Sequence, residues 1–136
     1  MKKQTILFIC THNSARSQMA EGLMRHFHSD RFEAFSAGTE ATLVRPEAIK
    51  VLAELGIDIS SHSSKTLERF LKIELDYVVT VCDSANEACP FFPGGKKRIH
   101  KSFRDPSNTK GKEEEVLQAF RDVRDEIRLW LDESFG

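Results

Sequence analysis

Cys10 and Arg16 are separated by five small or polar residues in the stretch "CTHNSAR", and two more thiols stand at Cys82 and Cys89. A cysteine followed closely by an arginine can join a nucleophile to an anion clamp. The loop residues Thr11, His12, Asn13, Ser14 and Ala15 include no proline, so each keeps its backbone N–H. In a turn that leads into a helix such groups converge on one centre, where the helix N-terminus adds a field that favours an anion. Arg16 at the helix start can grip two oxygens of a tetrahedral oxyanion in a fork that lysine cannot reproduce. A free thiol titrates near about 8.5, and helix N-termini and guanidinium groups lower that value, so such a loop makes a thiolate available at neutral pH. Ser17 is placed to orient it by a hydrogen bond. Two alternatives stay open on these residues alone: a cysteine at a strand end is often a small buried hydrophobe, and C-x5-R recurs by chance.

The surrounding elements must position these groups. Ile6, Leu7, Phe8 and Ile9 form a short apolar run that predicts a buried strand over 4–9, ending on Cys10. Met19, Leu23, Met24 and Phe27 recur at helical spacing and predict a helix from about Ala15. Residues 31–38 predict a second strand. Pro46 in a first turn, with Ala48, Val51, Leu52 and Leu55 on one face and Gly56 as cap, predicts a second helix. Ser64 is expected to cap a third helix through Leu67, Phe70 and Leu71. The stretch "LDYVVTVC" over 75–82 predicts a strand that also ends on a cysteine. A helical turn then gives way to an irregular loop near Pro90, followed by a short strand from Arg98 to His100. Val116, Phe120, Val123, Ile127 and Trp130 lie on one stripe of a final helix.

Strands alternating with helices imply an α/β fold: one three-layer domain over 1–136, with a four-stranded, mostly parallel sheet flanked by helices. Ligands in such folds bind at the carboxyl ends of the strands, the edge that holds both Cys10 and Cys82.

Composition narrows the classes. With 136 residues, 40% of them hydrophobic, the chain can bury one sizeable core. A net charge of −1 with 30% charged residues leaves no nucleic-acid footprint. Only five apolar residues precede the first cysteine's loop, too few for a signal peptide or a membrane span, so a cytoplasmic protein is expected. Three cysteines do not make a disulfide framework. A zinc site is disfavoured because only Cys82 and Cys89 are close in sequence and no histidine pair accompanies them. His26, His28, His62 and His100 show no ligand spacing.

The stretches "CTHNSARS" (10–17), "SAGTE" (36–40), "GIDISSHSSK" (56–65) and "KSFRDPS" (101–107) resemble the low-molecular-weight protein tyrosine phosphatase superfamily along essentially the whole chain. With Cys82 and Cys89, the chain is similar to the thioredoxin-coupled arsenate reductases within it. The resemblance implies attack of Cys10 on arsenate held by Thr11, His12, Asn13, Ser14, Ala15, Arg16 and Ser17. Asp105, before Pro106, would donate a proton to the leaving oxygen. Cys82 would then attack the Cys10 adduct, and Cys89 would attack Cys82, leaving a Cys82–Cys89 disulfide for thioredoxin to reduce. Arsenic detoxification, a weak phosphatase side activity, a monomer and no tightly bound cofactor are expected. Such an exchange implies movement over 82–95, because disulfide partners come within about 4.4–6.8 Å between α-carbons.

Some of these reductases bind potassium through an asparagine, a glutamate, a serine and an aspartate. Asn13, Glu21 and Ser36 match that set, while Lys65 stands where the aspartate is expected, so its ammonium is a candidate replacement for the ion. The rival readings are a tyrosine phosphatase, for which Cys10, Arg16 and Asp105 suffice, a phosphocysteine carrier and a thiol sensor. Ser107-Asn108 after the Asp-Pro pair, in place of tyrosines, argues against a phosphotyrosine pocket.

Overall fold

The N-terminal apolar run forms strand β1 (Gln4–Cys10), central in a four-stranded sheet, in the computed structural model, which describes residues 3–83, 85 and 95–136. Strands β2 (Phe32–Gly38) and β3 (Leu75–Thr80) flank it, and β4 (Gly95–His100) lies outside β3. Every pairing is parallel. Ile6 and Phe8 face one side of the sheet and Leu7 and Ile9 the other, and all four are fully buried. Burial on both faces explains why β1 reads as a continuous apolar run rather than an alternating one.

Among the described residues three helices flank the sheet: α1 (Arg16–Phe27), α2 (Pro46–Ala53) and α3 (Glu113–Phe135). Helices α1 and α3 cover the face that carries Phe32 and Tyr77. The Phe135 ring of α3 lies 5.5 Å from Phe32 and 5.3 Å from Tyr77. On the same face, Ser36 bonds Glu21 of α1. The opposite face sets Phe35 against Phe70, ring centroids 5.6 Å apart, in a 3-10 turn over Leu67–Phe70. The expected α/β architecture is present, and the sheet is parallel throughout its four described strands.

Several boundaries differ from expectation. Strand β4 starts at Gly95 rather than Arg98: its Lys96, Lys97 and Arg98 are exposed on an edge strand, where no apolar pattern marks the span. The helix expected from Ser64 is a single 3-10 turn, because the Ser64 hydroxyl is used elsewhere, donating to the His12 carbonyl at 2.8 Å. Helix α2 stops at Ala53, and the chain turns through Gly56 at φ +79° as Ile57 N–H returns to the Leu52 carbonyl. Strand β3 ends at Thr80, two residues before Cys82. The turn and loop expected around Cys89 and Pro90 lie outside the described residues. Among the described residues, no helix is long and apolar enough to cross a membrane.

The end of α2 is tied to α3 by Glu54, which accepts from Arg121 Nε and from Arg124 Nη1 at 2.8 Å. Burial pushes the Glu54 carboxyl up, but the bonds from Arg121 and Arg124 outweigh it and hold the group below its ordinary value of 4.5. A lowered folded pKa contributes stability that is present above pH 4.5 and lost as pH falls through the folded value. Glu54→Gln should therefore lower the melting temperature at pH 7 and shrink that difference at low pH, as a pH series of thermal melts would read. A difference that grows on acidification would refute the assignment.

Candidate active site

The loop between β1 and α1 is held open from outside. The Cys10 carbonyl accepts from Thr39 N–H at 3.3 Å and the Thr11 carbonyl from Glu40 N–H at 2.9 Å. The His12 carbonyl accepts from the hydroxyls of Ser64 and Thr42, the Asn13 carbonyl from Gln18 Nε2, and the Ser14 carbonyl from Arg45 N–H. In a trans peptide the N–H points opposite to its C=O. Fixing five successive carbonyls to the surrounding chain thus turns the amides of Thr11 through Ala15 toward the concave side, as an anion cradle requires.

Asn13 is the pivot of this loop. It is fully buried at φ 49°, a left-handed conformation that asparagine tolerates better than most residues. Its Oδ1 accepts from Gln18 Nε2 at 2.9 Å and Lys65 N–H at 3.0 Å, and its Nδ2 donates to Ser17 Oγ at 2.8 Å. Ser17 Oγ in turn lies 2.9 Å from Cys10 Sγ. Gly38 leaves room for the loop: a Cβ there would sit 2.5 Å from the Glu40 carbonyl oxygen and 2.8 Å from both Asn13 N and the Thr11 carbonyl oxygen.

Beside the loop is a cleft of about 520 Å³ lined by Thr11, Arg16, Cys82, Phe103 and Asp105, among others. Arg16 Nη1 donates to the Phe103 carbonyl at 3.0 Å, and Nη2 is 3.5 Å from Asp105 Oδ2. Asp105 Oδ1 accepts from Ser107 N–H at 2.9 Å, which fixes the carboxyl at the start of a 3-10 turn over Pro106–Asn108. Cys82 is a buried free thiol whose Sγ is 3.3 Å from Thr11 Oγ1. His12 points outward instead, its Nε2 3.4 Å from exposed Glu40, so only its backbone faces the cradle. Cys10, Arg16, Ser17, Cys82 and Asp105 are therefore gathered at one sheet edge, while Cys89 lies outside the described residues.

The family model described as low molecular weight phosphotyrosine protein phosphatase matches residues 5–133. The chain belongs to this family. Within this phosphatase family it is 46% identical over 127 residues to a protein of Halalkalibacterium halodurans named arsenate reductase, covering 93% of this chain and 91% of that one. A solved arsenate reductase in the phosphate binding state superposes with a TM-score of 0.82 at 29% identity, over 96% of this chain and 95% of that one. A thioredoxin-dependent arsenate reductase of Corynebacterium glutamicum gives a TM-score of 0.67 at 27% identity, over 96% of this chain and 61% of that longer chain.

The family's phosphatase loop here is backed by a second polar cluster. Glu21 Oε1 accepts from Ser36 Oγ at 2.6 Å and is 3.9 Å from Lys65 Nζ, and Glu21 Oε2 is 3.2 Å from Arg25 and 3.4 Å from His62. Burial lowers the Lys65 pKa, and the Glu21 carboxylate opposes that shift. Asn13, Glu21, Ser36 and Lys65 are thus brought together as the sequence comparison expected. Here the serine hydroxyl donates to Glu21 Oε1, and the Lys65 ammonium, which donates to the Ser63 carbonyl at 3.0 Å, lies near the same carboxylate oxygen. Among the described residues no group of three or more His, Cys, Asp or Glu is placed to hold a metal.

The residues that sequence reading missed are the outer holders of the loop: Gln18, Thr39, Thr42, Arg45 and Ser64. Gln18 is a fully buried amide of α1, beside the buried polar residues Ser17 and Glu21. The others act across 28 to 52 residues of sequence, through contacts that no local pattern encodes.

Proposed function

We propose that the chain, acting as one domain over 1–136, reduces arsenate to arsenite by a thiol relay and is regenerated by thioredoxin. One observation carries the reading: a second thiol, Cys82, is seated against the cradle loop of the first, its sulfur touching the Thr11 hydroxyl. Ester hydrolysis has no use for such a thiol. The similarity to proteins named arsenate reductase, one of them thioredoxin-dependent, supports it further.

In the proposed sequence the Cys10 thiolate attacks arsenic(V), forming an S–As bond as an oxygen leaves with a proton from Asp105. The loop amides and Arg16 hold the remaining oxygens. The Cys82 thiolate then attacks the Cys10 sulfur, an S–S bond forms, and the S–As electron pair passes to arsenic, which departs as arsenite. Attack of Cys89 on Cys82 frees Cys10, and the dithiol of thioredoxin reduces the resulting Cys82–Cys89 disulfide. The test is arsenite release from arsenate with thioredoxin, thioredoxin reductase and NADPH, compared in wild type, Cys82→Ser and Cys89→Ser. Multiple turnovers requiring all three cysteines are expected. Hydrolysis of a phosphate ester that ignores Cys82 and Cys89, with no arsenite formed, would instead make the protein a phosphatase.

Lys65 takes the place of a potassium ion in this reading, its ammonium supplying the positive charge beside Glu21. Turnover should accordingly stay within about twofold when potassium is replaced by choline at constant ionic strength. A strong, saturable activation by potassium would contradict it.

A further inference from the structure

The geometry points to His100 as a positioning residue for Cys82, acting through Asp83. This rests on the proposed role of Cys82 as the second thiol. Among the described residues, Val81 ties this stretch into the sheet: Val81 N–H donates to the Ile9 carbonyl at 2.9 Å, and the Val81 carbonyl accepts from Phe103 N–H at 3.0 Å. Cys82 lies one residue beyond the ladder, yet is only 4% exposed. Among the described residues, a side-chain bond ties Asp83, the residue after Cys82, back to the sheet.

His100, the last residue of β4, is bonded through both ring nitrogens. Nδ1 is 2.8 Å from Thr80 Oγ1, and Nε2 is 2.9 Å from Asp83 Oδ1. An ionised carboxylate can only accept, so Nε2 carries the proton toward Asp83, and in the neutral ring Nδ1 accepts from the Thr80 hydroxyl. Thr80 is fully buried in β3, which makes it a fixed anchor. The Asp83 side chain is 77% exposed, and among the described residues its direction is set by the bond to the ring. The imidazole therefore transmits the rigidity of β3 and β4 to the residue after Cys82 and holds its sulfur in the pocket beside Thr11. Thiol exchange demands directed approach to the sulfur attacked, and loss of positioning of about 1 Å can cost roughly 100-fold in rate.

The test uses two readouts. In Cys10→Ser/Cys89→Ser protein, where Cys82 is the sole thiol, iodoacetamide alkylation should quicken by about tenfold on His100→Ala and equally on Asp83→Ala. The pair together should be no faster than either alone. Asp83→Asn, whose amide oxygen still accepts from Nε2–H, should stay close to the parent rate. In protein with all three cysteines, His100→Ala should slow single-turnover arsenite release by about tenfold while leaving arsenate affinity unchanged. Unchanged alkylation, or effects of His100→Ala and Asp83→Ala that simply multiply, would overturn the proposal. So would an unaltered single-turnover rate. A wild type that makes no arsenite would overturn the arsenate reading, while the alkylation series would still decide whether His100 holds Cys82.

Discussion

Arg16→Lys should fold normally and bind inorganic phosphate roughly 10- to 100-fold more weakly than wild type in calorimetric titration. The Arg16 side chain is 13% exposed and already uses two separate nitrogens, one on the Phe103 carbonyl and one toward Asp105. A planar guanidinium with five N–H groups can keep both supports and still present a pair of N–H groups to an oxyanion. A lysine ammonium can deliver its charge but not that paired geometry. Loss of one charge-assisted hydrogen bond, worth about 1.5–3 kcal/mol, corresponds to the range given. Affinity within threefold of wild type would mean that charge alone, supplied with the loop amides, holds the anion.

The second large effect is expected at Gly38. Gly38→Ala puts a methyl group against three backbone atoms, of Thr11, Asn13 and Glu40, none of which can swing aside as a flexible side chain would. Overpacking of this kind costs about 1–3 kcal/mol, a fall in melting temperature of roughly 5–10 °C for a domain of this size. Because two of the three atoms belong to the cradle loop, phosphate affinity should fall by more than about tenfold as well. Gly56→Ala is the contrast. Nothing lies within 4 Å of a Cβ there, but φ is +79°, so it should lose about 1–2 kcal/mol of stability with phosphate affinity intact. Equal loss of affinity in both variants would show that stability, not loop geometry, governs binding.

What could be read from the chain, and what could not, follows from the range of the interactions. Cys10, Arg16 and Ser17 were legible because a strand end, a turn and a helix start are local events within eight residues. Cys82 was legible because a run of branched residues leads to it. The parallel sheet followed from the alternation of strands and helices. Strand β4 was only half legible, since Gly95, Lys96 and Lys97 carry no apolar pattern on an exposed edge. Ser64 was misread as a cap: a serine before an apolar run fits a helix start equally well, and only the folded chain shows its hydroxyl on the His12 carbonyl. The outward direction of His12 was likewise undecided until Glu40 was seen beside it.

The outward-bonded carbonyls of the cradle loop also bear on the life history of the chain. Cys10 precedes in sequence most of the donors that shape its loop, from Thr39, Glu40, Thr42, Arg45 and Ser64, and β1 gains its second neighbour only with β3. Without those distant segments nothing holds the loop amides around the sulfur, and a thiol outside such a cradle keeps its ordinary low reactivity. The cradle around Cys10 is therefore completed by the whole fold rather than by its own neighbourhood in sequence. A partly unfolded chain thus loses the cradle while keeping the cysteine, so reactivity toward an oxyanion and integrity of the fold go together.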